Sequence, residues 1–253
     1  MGRASAVLSP ARSAAFAALG AGALAYFYVV GHLPPPPCGA RPDCSTRVWL
    51  DVAIAALTVM PAMFGLIYAA LPLRRGGNAL IVAAVALGVL TVALELVDVE
   101  VIANLAKFAA VTLGGWWFLR FFEDVSWVVL VALIIPAVDA YSVWRGPTHT
   151  IVHHHADVFN AFSVGFTVPG GGALHLGLPD VLFFALFLAA AARWRLRLAW
   201  TWVALTASLV LTLVLAVSTE ASGLPALPLL SAGFLFPNAD LLWTRLRARK
   251  ARK

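Results

Sequence analysis

Residues 198–217 read LAWTWVALTASLVLTLVLAV, twenty residues without an acidic or basic side chain. At about 1.5 Å rise per residue they make a helix of roughly 30 Å, the thickness of the hydrocarbon core of a bilayer. Polar and apolar residues do not alternate along the run, so it does not read as a half-buried strand or as one stave of a membrane barrel. A helix apolar all round is either buried in a large core or surrounded by lipid.

Composition decides between those two. Soluble domains are about 45–50% apolar and about 25% charged. This 253-residue chain is 62% hydrophobic and 12% charged, with a mean hydropathy of +0.89. No aqueous fold of that size hides so much apolar surface. In lipid every backbone polar group needs an internal partner, and long unbroken apolar runs satisfy that as helices. The expectation is an all-α, polytopic transmembrane helix bundle, with residues 1–253 as a single membrane domain.

Similar runs recur outward in both directions. Eight spans are predicted, near 13–31, 49–73, 78–96, 100–119, 126–144, 177–193, 198–217 and 224–243. Four fall in 1–119 and four in 120–253, and nine is the alternative count. Ala23-Leu24-Ala25 resembles a signal-peptide cleavage site, but the apolar run continues through Tyr26 to Val30, so the first span reads as an uncleaved anchor.

The net charge of +6 does not point to nucleic acid, because the basic residues are scattered at the ends of apolar runs. They set orientation instead. Arg3, Arg12, Arg74, Arg75, Arg120, Arg193, Arg195, Arg197 and the tail from Arg245 to Lys253 all fall on one side. Glu95, Asp98, Glu100 and Glu220 fall on the other. A multi-pass cell-membrane protein with both termini cytoplasmic is the reading.

The polyproline stretch Pro34–Pro37 and the two cysteines, Cys38 and Cys44, are then extracytoplasmic. The cysteines read either as a small disulfide loop or as two free thiols. The connection 145–176 is on the same side. In it Phe162, Val164, Phe166 and Val168 alternate with Ser163, Gly165 and Thr167, a strand pattern ended by Pro169 and Gly170 to Gly172. His149, His153, His154 and His155 in this loop read as solvated side chains; no zinc-protease helix motif accompanies them.

An ionisable residue inside a span is costly and marks function by default. Asp51 and Asp240 lie within a turn of span ends and reach the interface. Lys107 shares a helix face with Glu100 and Asn104, and reads as an internal ion pair or a water-facing stripe. Asp139 and Asp180 differ from these. Asp139 lies five residues before Trp144, the outer end of its span, hence roughly 7–8 Å below the rim. Asp180 follows Gly177 by three residues, where the next span starts from the same side. Consecutive antiparallel helices bring both carboxyls to a similar depth. Two carboxyls sharing one proton can activate water through the ionised member and polarise a scissile carbonyl through the protonated one. Paired intramembrane acids also serve proton or cation pathways.

The local motifs separate these uses. The chain has Asp139-Ala140-Tyr141-Ser142-Val143-Trp144, then Gly177-Leu178-Pro179-Asp180, then Pro225-Ala226-Leu227-Pro228 opening the last span. In order, helix assignment and side of the membrane, residues 126–243 resemble the presenilin and signal peptide peptidase family, the GxGD-type intramembrane aspartyl proteases, in its prokaryotic form. That family carries Tyr-Asp, Gly-x-Gly-Asp and Pro-Ala-Leu on successive segments. Two positions depart: Val138 stands for the tyrosine and Pro179 for the glycine before the second aspartate. The predicted sense, with the loop between the aspartates outside, is that of signal peptide peptidase.

The resemblance implies an endopeptidase cleaving transmembrane segments or signal-peptide remnants. Asp139 and Asp180 would be catalytic, and Gly177, Leu178, Pro179, Pro225, Ala226 and Leu227 would form the substrate cleft. Val164 and Phe166 are the candidate strand edge to which unwound substrate adds, against the reading of a half-buried strand that merely covers the bundle. Substrate and membrane lipid are the expected partners, with no nucleic acid, metal or soluble cofactor. The rival classes are an inactive membrane binding protein on the same scaffold, and a proton-coupled transporter using the two aspartates. Prepilin peptidases share a Gly-x-Gly-Asp aspartate but lack the closing Pro-Ala-Leu.

Overall fold

The computed structural model describes residues 8–33, 44–145, 162–169, 173–219 and 224–250. Cys38 and the loop histidines His149, His153, His154 and His155 lie outside the described residues. The chain divides into two compact units, Met1–Leu113 with Phe162–Leu178, and Gly114–Ala161 with Pro179–Lys253.

The first unit opens with α1 (Pro10–Gly31), where Pro10 holds the first helical position, a place its fixed φ suits. Ala23, Phe27 and Val30 make its buried stripe, and α1 packs along α3 (Met60–Ala70). Before α3 come α2 (Cys44–Ile54) and a π turn, Ala55–Val59. Pro61 explains the turn. It has no N–H for the Leu57 carbonyl, and the ladder slips so that the Met60 N–H reaches the Ala55 carbonyl. Next are α4 (Ala79–Glu95) and α5 (Glu100–Phe118), joined by a turn in which Asp98 takes φ 57°, a left-handed conformation that aspartate tolerates. The Thr91 hydroxyl donates to Leu87 O and, across to α5, to Ala103 O.

Strands β1 (Ser163–Thr167) and β2 (Ala173–Gly177) complete this unit as an antiparallel pair, with Ser163 opposite Gly177 and Thr167 opposite Ala173. One further ladder bond, Leu178 N–H to Phe162 O at 3.1 Å, carries the pairing to the point where helix begins.

The second unit holds the end of α5, α6 (Val125–Arg145), α7 (Leu178–Arg193), α8 (Leu198–Ser218), α9 (Leu227–Leu235) and α10 (Ala239–Lys250). α7 is buried without interruption from Phe184 to Ala191. α9 packs on both α6 and α8. Its contact with α8 depends on Gly233, since a Cβ there would stand 2.9 Å from Ala204 O and 2.6 Å from Ser208 Oγ. Gly233→Ala gains helix propensity, but it must push two backbones apart. The expected outcome is a net loss of about 1–3 kcal/mol, measurable by chemical unfolding in detergent.

Among the described residues, five helical stretches are long and apolar enough to cross a membrane: Pro10–Val30, Val48–Arg75, Glu100–Phe121, Val125–Val143 and Leu198–Ser218. Their outer faces carry large apolar side chains, such as Leu133 at 62% and Trp200 at 67% exposure. Repeated on every span, such faces suit lipid rather than water. Ala79–Glu95 is apolar but shorter.

The other two expected spans differ from their sequence reading. The 177–193 segment starts as helix only at Leu178, because Gly177 still belongs to β2. The 224–243 segment is not one helix: α9 ends at Leu235, a 3-10 turn covers Phe236–Asn238, and α10 follows. Pro237 cannot donate to the helical ladder, and Asn238 pins the break. Its amide donates to Thr201 Oγ1 and Phe234 O, both at 2.8 Å, and its Oδ1 accepts from Arg197 N at 2.9 Å. Beyond the break, exposed Asp240 takes a bidentate pair from Arg197 at 2.7 and 2.8 Å.

Candidate active site

Asp139 lies on α6 one turn beyond Pro136, which sits inside the helix. A proline there leaves the Ala132 carbonyl without its helical donor. The Asp139 carboxylate has a partner from far along the chain: Leu227 N–H donates to its Oδ2 at 3.0 Å. Leu227 is the first residue of α9, and Ala226 holds the cap position with no side-chain cap bond. Pro228, next in line, has no N–H at all. The first amide of α9 is thus capped by a carboxylate from α6, at the end of a helix where the macrodipole favours negative charge. Ala226 and Leu227 are buried, at 5% and 3% exposure, and Pro225 precedes them in extended chain.

Asp180 lies in the first turn of α7. Pro179, exposed, is the second residue of that helix, a position where its missing N–H has no intrahelical acceptor to serve. Proline at this position is therefore compatible with the local backbone. Gly177 and Leu178 end the strand pair and start α7 without an intervening loop.

Val164 and Phe166 are placed differently from a substrate-facing edge. Their side chains are buried, at 0% and 3% exposure. Phe166 stacks on Phe27 with centroids 6.2 Å apart and meets Phe108 edge-on at 6.3 Å. The backbone edge follows from ladder parity. In an antiparallel pair, alternate residues turn their N–H and C=O towards the partner. Phe162 bonds Leu178, so Val164 and Phe166 also face β2, and Ser163, Gly165 and Thr167 face outward. Each of these three has a side-chain partner. Ser163 O accepts from Lys107 Nζ at 3.3 Å, Gly165 N–H donates to Asn104 Oδ1 at 3.0 Å, and Thr167 O accepts from the Tyr26 hydroxyl at 3.4 Å. The outer edge of β1 is covered, as in the half-buried reading of this strand.

This also accounts for Lys107. It is buried and pairs with Glu95 Oε1 at 2.8 Å, so the internal ion pair forms with the preceding helix rather than with Glu100. Asn104 and Lys107, three apart on α5, hold the strand in place. Their shared helix face is legible in the sequence; that both bond the outer edge of β1 is not.

His175 on β2 has its Nδ1 3.0 Å from the Ser163 hydroxyl. Desolvation of the ring, and then the charge of Lys107, push its pKa below the ordinary histidine value. The sign follows: the unfolded chain takes up a proton near pH 6.5 while the folded ring resists it. Stability from this site is complete above that pH and declines as the pH falls towards the folded pKa. Melting in detergent between pH 7.5 and 5.5 is expected to show a falling Tm, with a shallower fall in His175→Gln. An equal fall in both would assign the effect elsewhere.

Comparison of the chain with protein-family models, with curated proteins and with solved structures gives no match in any of the three. A functional reading therefore rests on the residues of this chain. Among the described residues no group of His, Cys, Asp and Glu is arranged to hold a metal ion.

Proposed function

We propose that the protein is an intramembrane aspartyl endopeptidase that hydrolyses peptide bonds within transmembrane segments or signal-peptide remnants, with Asp139 and Asp180 as the catalytic pair. One observation carries the reading: the amide of Leu227 in Pro225-Ala226-Leu227 bonds the carboxylate of Asp139 across 88 positions of sequence. Ala, Leu and Pro abound in this chain, and composition alone would not bring that tripeptide to an intramembrane aspartate. The proposal includes eight spans, cytoplasmic termini and an active site opening to the extracytoplasmic side.

In this mechanism the Leu227 N–H holds Oδ2 of Asp139, so that the carboxylate is oriented before substrate arrives. The ionised carboxyl of the pair takes a proton from water, and the resulting hydroxide adds to the scissile carbonyl carbon. The protonated carboxyl donates to the carbonyl oxygen as the tetrahedral intermediate forms. Collapse breaks the C–N bond, and the amine leaves with a proton from the pair. A peptide bond in a helix is already hydrogen-bonded, so substrate must unwind and find new backbone partners. Because Tyr26, Asn104 and Lys107 occupy the outer edge of β1, the unwound segment must find its backbone partners elsewhere.

The test is cleavage of a single-span peptide by purified, reconstituted protein with and without Asp180→Ala. A proton-coupled transporter would use the same two carboxyls and the helix break at Pro237. Proton flux in proteoliposomes without peptide cleavage would select that reading.

A further inference from the structure

A cavity of about 360 Å³ lies in the second unit, and neither Asp139 nor Leu227 lines it. Asp124 and Ser126 line it from the start of α6, Arg193, Trp194 and Arg195 from the turn between α7 and α8, and Arg245 from α10. Three guanidinium groups face one carboxylate, leaving a net positive charge of two. The volume lies at the small end of ligand pockets.

Two of the three basic groups are fixed rather than loosely gathered. Arg193 Nη1 donates to Leu119 O at 2.8 Å, and its guanidinium lies 4.8 Å from the Trp194 ring centroid. Arg245 Nη1 donates to Trp194 O. A guanidinium carries five N–H groups, so one carbonyl partner each still leaves donors to aim at an anion. The start of α6 adds the positive end of its helix dipole.

The backbone of Arg195 is the second indication. It takes φ 48°, a left-handed conformation costing a non-glycine residue about 1–2 kcal/mol. Helices commonly end on glycine for that reason. An arginine in this conformation, on the rim of a cavity that already holds two others, is strain of the kind that marks functional positions.

Position supplies the chemical class. The cavity lies where the spans Val125–Val143 and Leu198–Ser218 begin, hence at headgroup level. By the distribution of arginines this is the cytoplasmic face, where anionic lipids attract basic groups. Arginine forks match the paired oxygens of a phosphate. Asp124 opposes a densely charged ligand and suits a single negative charge better.

We propose that this cavity binds phosphate, supplied by the phosphodiester of an anionic phospholipid headgroup. Soluble phosphate shares the chemistry, and the test separates the two sources. Full-length protein in detergent is titrated with phosphatidylglycerol or phosphatidylcholine, and bound lipid is counted by native mass spectrometry, with and without millimolar inorganic phosphate. Wild type is expected to prefer phosphatidylglycerol. Arg195→Gln should weaken that lipid about fivefold, the worth of one basic residue at a membrane surface. Arg195→Lys should retain most of the affinity, and Arg75→Gln, exposed and outside the cavity, should change nothing. Inorganic phosphate that displaces the lipid and raises the Tm of lipid-free wild type would assign the site to soluble phosphate, an arm that needs no variant. Equal binding of the two lipids with no effect of phosphate overturns the proposal. So does an undiminished phosphatidylglycerol preference in folded Arg195→Gln.

Discussion

Asp139→Asn and Asp180→Asn are each expected to lower cleavage of a single-span peptide by about 10³-fold or more, with little change in Tm. Asparagine keeps the shape and the hydrogen-bonding capacity of the side chain. It cannot ionise, however, so the pair loses either its base or the proton it shares. One missing general acid or base costs about 10²–10⁴-fold, and residues that act as a unit lose nearly everything when one is removed. The double variant should therefore be no slower than either single one. Wild type should show a bell-shaped pH–rate profile whose two limbs belong to the pair rather than to either aspartate. Full activity in either single variant would eliminate the mechanism.

The second large effect concerns a single hydrogen. Replacing Leu227 by its α-hydroxy acid turns the amide N–H that meets Asp139 Oδ2 into an ester oxygen and leaves the side chain intact. A hydrogen bond to a charged group is worth about 1.5–3 kcal/mol. If that bond orients the carboxylate for proton transfer, kcat should fall by about 10- to 100-fold with KM nearly unchanged. The same replacement at Leu230, whose N–H bonds Ala226 O within α9, removes one helical bond and should affect Tm more than kcat. Equal kcat losses at both positions would mean that the Leu227 contact only holds the helix together.

Much of the fold was legible because lipid imposes a simple rule. Long uncharged runs such as 198–217 had to be helices, and that stretch is α8 almost to the residue. β1 was legible from the alternation of Val164 and Phe166. β2 was not: Ala173-Leu174-His175-Leu176-Gly177 follows three glycines and runs straight into the apolar sequence of α7, so it reads as the tail of the connection 145–176 and the first residue of the next span. Its signal, two leucines flanking a histidine, is too short to stand alone. The last span misled for a related reason. Periodicity continues across Pro237, while the break depends on Asn238 finding Thr201 and Arg197 on another helix, which no local pattern announces.

The candidate site divides in the same way. Asp139 and Asp180 stand out because charge in a span is expensive. The ion pair of Lys107 was anticipated in kind but not in partner, since Glu95 becomes its neighbour only when the turn at Asp98 folds α4 back beside α5. The bond between Leu227 and Asp139 joins residues too far apart for periodicity to connect, and only a family resemblance pointed to Pro225-Ala226-Leu227 at all. The arginines around the cavity were read for orientation alone, because the convergence of separate segments of chain is a tertiary property.

The most direct test is an experimental structure of the full chain with a transmembrane peptide in which a hydroxyethylene isostere replaces the scissile bond. The isostere hydroxyl stands where water adds to the carbonyl. The dyad mechanism places that hydroxyl within about 3 Å of a carboxyl oxygen of both Asp139 and Asp180, with the Leu227 amide still on Asp139. A peptide bound elsewhere, or carboxyls too far apart to reach one hydroxyl together, would contradict it.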